Sequence, residues 1–204
     1  MPLVIPPGPF AAYLFDCDGT LADTMPLHYR AWRATLDPLG VDFPEEQLYQ
    51  LGGTPTQRIV EILSEQHGLN LSAAEVARQK SEAFVALLDE ARPVDEVMRI
   101  ALGATSDGKK IALVTGSARW VVERILDAIG ARDLFSTVIA SEDVSHGKPA
   151  PDCYLEAARR LAIPAVECLV FEDTRTGIEA ATAAGMQSVF VPRSGTSSSN
   201  EPAS

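Results

Sequence analysis

Cysteine is scarce in this chain of 204 residues: Cys17, Cys153 and Cys168 are far apart and form no Cys-x-x-Cys pair. That pattern excludes a disulfide framework and a cysteine zinc site, and it fits a reducing compartment. Basic residues are also few. Lysine and arginine total 17 against 28 acidic residues, a formal net charge of -11, so unspecific binding to nucleic acid is excluded and an anionic ligand would need local positive charge. No apolar run reaches the roughly 20 residues that a membrane span requires. The first ten residues lack a basic leader segment and are broken by Pro2, Pro6, Pro7 and Pro9, so a cytoplasmic location is expected. Internal repeats are absent. The stretch from Ser194 to the end is small and polar and is expected not to order itself.

What is present is a hydrophobic content of 46%, enough for one sizeable core plus an inserted module. Short apolar β-rich runs occur at 11–15, 110–114, 137–140, 168–171 and 187–191, with helix-like stretches between most of them. Such alternation predicts a doubly wound parallel sheet with helices on both faces. Val121, Ile125, Leu126 and Ile129 share one helical stripe, and 154–161 and 178–184 behave likewise. The interval 25–92 departs from this pattern. It offers amphipathic helices at 27–39, 56–65 and 73–89 but no strand, with Gly52, Gly53 and Gly68 as punctuation and Pro93 marking the return to the sheet. The expected organisation is therefore an α/β core of 1–24 plus 93–204 interrupted by a helical insertion of 25–92.

The most informative segment is Asp16-Cys17-Asp18-Gly19-Thr20-Leu21-Ala22-Asp23-Thr24, directly after the apolar run 11–15. A buried strand that ends in Asp and Gly places carboxylates at the edge where open α/β sheets bind ligands. Asp16, Asp18 and Asp23 repel one another unless something compensates them, and a hard oxygen-binding cation such as Mg²⁺ is the simplest compensation. An acidic turn held by Asx-type hydrogen bonds is the alternative reading of these residues alone. Cys17 is not a candidate nucleophile, because adjacent carboxylates raise a thiol's pKa.

Three further segments carry chemistry. Thr115-Gly116-Ser117 ends the second strand with a hydroxyl and a turn whose N–H groups, together with the start of the next helix, suit a phosphate oxygen. Lys148, between Gly147 and Pro149, presents an ammonium on a stiff loop. Glu172-Asp173 closes another buried strand with paired acids, of which Asp173 is the expected direct cation ligand and Glu172 a ligand through water or a support behind it.

Asp16-x-Asp18-Gly19-Thr20-Leu21, Thr115-Gly116-Ser117, Lys148-Pro149-x-Pro151-Asp152 and Glu172-Asp173-Thr174 resemble, in type and order, the four motifs of the haloacid dehalogenase superfamily. Thr174 stands where serine is usual and keeps the hydroxyl. The resemblance implies the superfamily's Rossmann-like core with a helical cap at 25–92. It implies Asp16 as nucleophile, Asp18 as general acid and base, Lys148 as the neutralising cation, Thr115, Gly116 and Ser117 as phosphate ligands, and Asp16, Asp18 (through its backbone carbonyl), Glu172 and Asp173 around Mg²⁺. Residues 23–32 are similar to the hinge of the β-phosphoglucomutase-like branch, which suggests that His28 hydrogen-bonds Asp18 or substrate. Lys80 resembles a cap lysine that contacts sugar phosphates in that branch.

The mutase also needs a cap arginine. Thr56 occupies its position, and Arg58, two residues later, is turned about 200° around a helix. The nearest likeness is to small bacterial phosphatases acting on fructose 1-phosphate and related esters, so the expected activity is hydrolysis of a small sugar phosphate through an aspartyl phosphate on Asp16. A β-phosphoglucomutase and a noncatalytic phosphate-binding protein on the same fold are the alternatives. No nucleic-acid, membrane or obligate protein partner is expected.

Overall fold

A computed structural model describes residues 2–193, so the expectation for the tail from 194 lies outside the described residues. Five parallel strands, β1 (Ala12–Phe15), β2 (Lys110–Val114), β3 (Val138–Ile139), β4 (Cys168–Glu172) and β5 (Gln187–Phe190), form one sheet in the order β3-β2-β1-β4-β5. All five expected strands are present. The third is only two residues long, an edge strand rather than the four-residue run the sequence suggested.

Alternation along the strands builds two cores. Tyr13 and Phe15 of β1, Ile111 and Leu113 of β2, and Leu169 and Phe171 of β4 face one side. There they meet helices α5 (Asp95–Ser106) and α6 (Arg119–Ala128), which contribute Val97, Ala101, Val122 and Ile125. Ala12, Leu14, Ala112, Val114, Cys168 and Val170 face the other side, against α7 (Asp152–Leu161) and α8 (Arg175–Ala183). Because both faces are covered, the strands read as continuous apolar runs instead of an alternating pattern. The rings of Phe15 and Phe171 stack at 4.8 Å across the β1–β4 pair, locking the register in which Phe15 stands opposite Phe171.

Between β1 and α5 the chain makes four helices: α1 (Met25–Leu36), α2 (Glu45–Gln50), α3 (Thr56–His67) and α4 (Ala73–Val85). They enclose a separate apolar cluster of Trp32, Leu36, Phe43, Leu48, Ile59, Val60, Leu63 and Val76. The expected helix 27–39 stops at Leu36 and tightens to a 3₁₀ turn at Asp37–Leu39, since Pro38 cannot continue the α-helical hydrogen bonds. The expected helix 73–89 likewise ends at Val85, and a 3₁₀ turn follows at Leu88–Glu90.

Helix α2 was not singled out from sequence because it is six residues long and buries only Leu48. Helix α5 was not either, since its buried stripe is Val97, Ala101 and Ala104, and alanine gives a weak hydrophobic period. The order of the strands reverses at β1 and β4: the chain leaves β1 towards β2 and β3, then returns to place β4 on the other side. The crevice above their carboxyl ends is where such sheets bind ligands.

Candidate active site

Asp16 leaves the tip of β1, and Glu172 and Asp173 leave the tip of the adjacent β4. Ligand oxygens of these three residues lie within 4.8 Å of one another. Lys148 reaches the same point from the loop before α7. Its Nζ donates to Asp16 Oδ1 at 2.6 Å and to Glu172 Oε1 at 2.6 Å. Three of the groups are nearly or wholly buried, Asp16 at 7% exposed and Glu172 at 1% and the Lys148 side chain at 9%, while Asp173 is partly exposed.

Burial alone would lower the Lys148 ammonium, but the carboxylates around it, Asp16 first, outweigh that and hold it protonated. The acids show the opposite strain. Burial pushes Asp16 well above the usual carboxylate range; Lys148 opposes the shift, and Glu172 and Asp173 add to it. Asp173 is raised in the same way, by burial and then by Glu172. One ammonium among three carboxylates leaves negative charge in a desolvated place, and hard oxygen donors in this number suit a divalent cation such as Mg²⁺.

The members of this cluster are held from behind. Glu172 Oε2 accepts from the Thr174 N–H and hydroxyl, both at 2.8 Å, so Glu172 serves chiefly to fix Lys148 and the turn into α8. The Thr20 hydroxyl donates to Asp173 Oδ1 at 3.1 Å. Gly19 passes under Asp173 at φ +85, and a Cβ there would overlap the Asp173 carboxylate. Gly177 has the same relation to Glu172. These glycines are therefore part of how the acids converge.

The carboxylate of Asp18 stands apart from the cluster, and so does Asp23. Asp18 Oδ1 accepts from the Thr24 hydroxyl at 2.7 Å and lies 3.3 Å from His28 Nε2, while Oδ2 accepts from the Ser117 hydroxyl at 2.9 Å. The Asp18 carboxylate is thus committed to Thr24, His28 and Ser117 and lies outside the group of acids that could hold a cation. Burial raises its pKa, yet the hydrogen bonds from His28, Thr24 and Ser117 win and bring it down to about 2. The Asp23 carboxylate is a half-buried group whose pKa is raised by burial; its backbone N–H donates to the Arg92 carbonyl at 2.8 Å.

His28 and Lys80 do meet the site. Lys80 Nζ lies 2.7 Å from His28 Nδ1. An ammonium only donates, so Nδ1 accepts and the ring proton is assigned to Nε2, facing Asp18. The imidazole stacks on Phe84 at 3.8 Å with planes 11° apart. Lys80 sits over Phe84 and Trp32, 4.9 and 5.7 Å from their centroids. Burial lowers the Lys80 ammonium to about 8, with Asp18 opposing. Asp18, His28 and Lys80 thus run from the tip of β1 into α1 and α4.

The Thr115 turn differs from expectation in detail. The helix start lies one residue beyond the turn, with Ala118 at the cap of α6, and the Ser117 N–H, expected to face a phosphate oxygen, donates to Thr115 Oγ1 at 3.0 Å. The first N–H of α6, on Arg119, is taken by both oxygens of Glu142 at 3.2 Å. The positive end of α6 is therefore already met by a carboxylate. That leaves the Thr115 hydroxyl and the Gly116 turn, where the space beside the glycine is open, as the anion-facing surface. Arg58 is paired with Glu61 at 2.8 Å, and both side chains are about half exposed.

Sequence reasoning missed Thr20, Thr24 and Tyr154, whose hydroxyls touch Asp173, Asp18 and Glu172. The first two lie inside the motif already under scrutiny, and their burial was the only further signal.

The family model for haloacid dehalogenase-like hydrolases matches residues 10–185. Fructose-1-phosphate phosphatase YqaB of Escherichia coli is 38% identical over 89% of this chain and 96% of its own length. The crystal structure of CbbY from Rhodobacter sphaeroides in complex with phosphate superposes with a TM-score of 0.78 at 31% identity, covering 90% of this chain and 86% of that one. A β-phosphoglucomutase from Clostridium difficile gives 0.76 at 26%, covering 88% and 83%. With its four motifs gathered at the tips of β1, β2 and β4 and the loop before α7, the chain belongs to the haloacid dehalogenase-like hydrolase family.

Proposed function

We propose that the protein is a Mg²⁺-dependent phosphatase that hydrolyses a small sugar phosphate, of the fructose 1-phosphate or hexose phosphate kind, through an aspartyl phosphate on Asp16. One observation carries this reading: Lys148 bridges Asp16 and Glu172 at 2.6 Å each, beside Asp173, at the switch point of the sheet. Asp16 attacks phosphorus and the sugar oxygen leaves, so hydrolysis divides into two displacements. Lys148 offsets charge on the nucleophile and on the phosphoryl group, and the Thr115 hydroxyl with the Gly116 N–H receives phosphoryl oxygens, the Ser117 N–H being engaged by Thr115 Oγ1. Asp16, Asp173 and the backbone carbonyl of Asp18, with Glu172 behind them, would hold Mg²⁺, which neutralises phosphoryl charge when bound.

Asp18 exchanges the protons. In its present contacts it is ionised, the form that takes a proton from the attacking water in the second step. To protonate the leaving oxygen in the first, it must loosen its bonds to Ser117, His28 and Thr24. The helical insertion 25–92 acts as the cap that excludes water and reads the sugar, with His28 and Lys80 at its inner face. The fructose-1-phosphate phosphatase at 38% identity supports this substrate class.

The same fold serves β-phosphoglucomutase, and this reading is disfavoured by Arg58, which is engaged in an ion pair with Glu61. The experiment is a panel of sugar phosphates with Mg²⁺, with and without chelator, beside an Asp16→Asn control. Release of phosphate from fructose 1-phosphate or a hexose phosphate, lost on chelation and in the control, is the expected result. Conversion of glucose 1-phosphate to glucose 6-phosphate without free phosphate, given catalytic bisphosphate, would establish the mutase. No turnover above the control would mark a noncatalytic phosphate-binding protein.

A further inference from the structure

We infer that Tyr154 is a positioning residue for this site, acting through Glu172 on Lys148; the inference rests on the reading of Lys148 given above. Tyr154 lies in the first turn of α7, just beyond the loop that carries Lys148, and none of its surface is exposed. Its ring packs under the sheet in the cluster of Leu14, Val114 and Val170, a place that phenylalanine would fill as well. The hydroxyl is what needs explaining, because a fully buried O–H requires a partner. It donates to Glu172 Oε1, 3.3 Å away, the same oxygen that accepts from Lys148 Nζ at 2.6 Å.

Glu172 thereby has two donors on each oxygen, Tyr154 and Lys148 on one and the Thr174 N–H and hydroxyl on the other. A carboxylate held at four points has one orientation, and it sets where the ammonium stands against Asp16. The tyrosine also touches the lysine directly: Lys148 Nζ is 5.1 Å from its ring centroid, inside the range of about 6 Å for attraction to an aromatic face. Tyr154 thus contacts both members of the Lys148–Glu172 pair while remaining away from the substrate side.

Tyr154→Phe keeps the ring and its packing and removes only the hydroxyl. The expected result is a fall in kcat of about threefold to tenfold, the worth of one modest hydrogen bond, with KM nearly unchanged. Against a Lys148→Met background the same change should have no further effect on residual hydrolysis of an activated aryl phosphate, because the group through which it acts is gone. A third readout needs no activity. The ¹⁵N resonance of the Lys148 ammonium, assigned by its loss in Lys148→Met, should move in Tyr154→Phe. The inference is overturned by a kcat within twofold of wild type, by an equal loss in both backgrounds, or by an unmoved ammonium resonance. Should the wild type show no turnover that depends on Asp16, the phosphatase reading fails, and the resonance still decides the role of the tyrosine.

Discussion

Among single residues, Lys80 and Asp173 both sit in surroundings that oppose their charge, and each gives a measurable consequence. Lys80 is 6% exposed, and its ammonium is brought from 10.5 to about 8. Between those values the unfolded chain binds more protons than the folded one, so stability rises with pH across that window and the full cost is present below pH 8. The shift corresponds to about 3 kcal/mol. In urea unfolding, Lys80→Met is therefore expected to gain on wild type at pH 7 and to lose that relative gain by pH 10; parallel pH profiles would contradict the burial cost. Asp173 has the reverse problem, a carboxylate discouraged from ionising by burial and by Glu172. A cation that binds only the folded chain stabilises it by about 2.7 kcal/mol at a hundredfold excess over its dissociation constant. Mg²⁺ should raise the melting temperature of the wild type and leave that of Asp173→Asn nearly unmoved, as read by a thermal melt at fixed ionic strength.

Where the elements end and meet, backbone conformation decides more than side-chain chemistry. Ala162 caps α7 at φ 53, the only described non-glycine residue with positive φ. Because an L side chain is strained there and this one is exposed, Ala162→Gly is expected to stabilise the protein by about 1 kcal/mol in chemical denaturation. Gly53 has φ +79, and a Cβ on it would overlap the Thr176 hydroxyl at the start of α8. This is a contact between the turn after α2 and the sheet domain, reinforced by Arg193 lying 3.3 Å over the Tyr49 ring. Gly53→Ala should push the helical insertion away from the site, so that kcat/KM falls about tenfold or more while the two cores of the sheet and the apolar cluster of the insertion stay folded; unchanged kinetics would mean that the turn does not control closure. Such contacts were hidden in the sequence. Gly52 and Gly53 were legible as punctuation, but not that Thr176, over a hundred residues away, lies against them. Likewise the motif acids were legible because they sit at strand tips, whereas the roles of Tyr154 and Glu142 depend on how α7 and the segment after β3 cross the sheet, which no local pattern encodes.

Taken as a whole, the molecule was legible to the extent that local pattern determines it. Five apolar runs separated by helical stretches were enough to announce a doubly wound sheet, and all five became parallel strands. The pairing of β1 with both β2 and β4, which brings Asp16 beside Glu172 and Asp173, is a property of the assembled sheet alone. Net charge is the other global property. At -11, the net field of the protein repels a phosphate dianion, whereas Lys148 and, when bound, a divalent cation would attract it at the site, so the far field opposes the approach that the near field rewards. Screening acts first on the far field, since the Debye length falls from about 30 Å at 0.01 M salt to about 8 Å at 0.15 M, while Lys148 is buried and only weakly screened. With Mg²⁺ held constant, kcat/KM for a sugar phosphate is therefore expected to rise by about twofold or more as a monovalent salt is increased across that range, and kcat to change little. A steady fall in kcat/KM would show instead that exposed cations at the mouth of the site guide the substrate in.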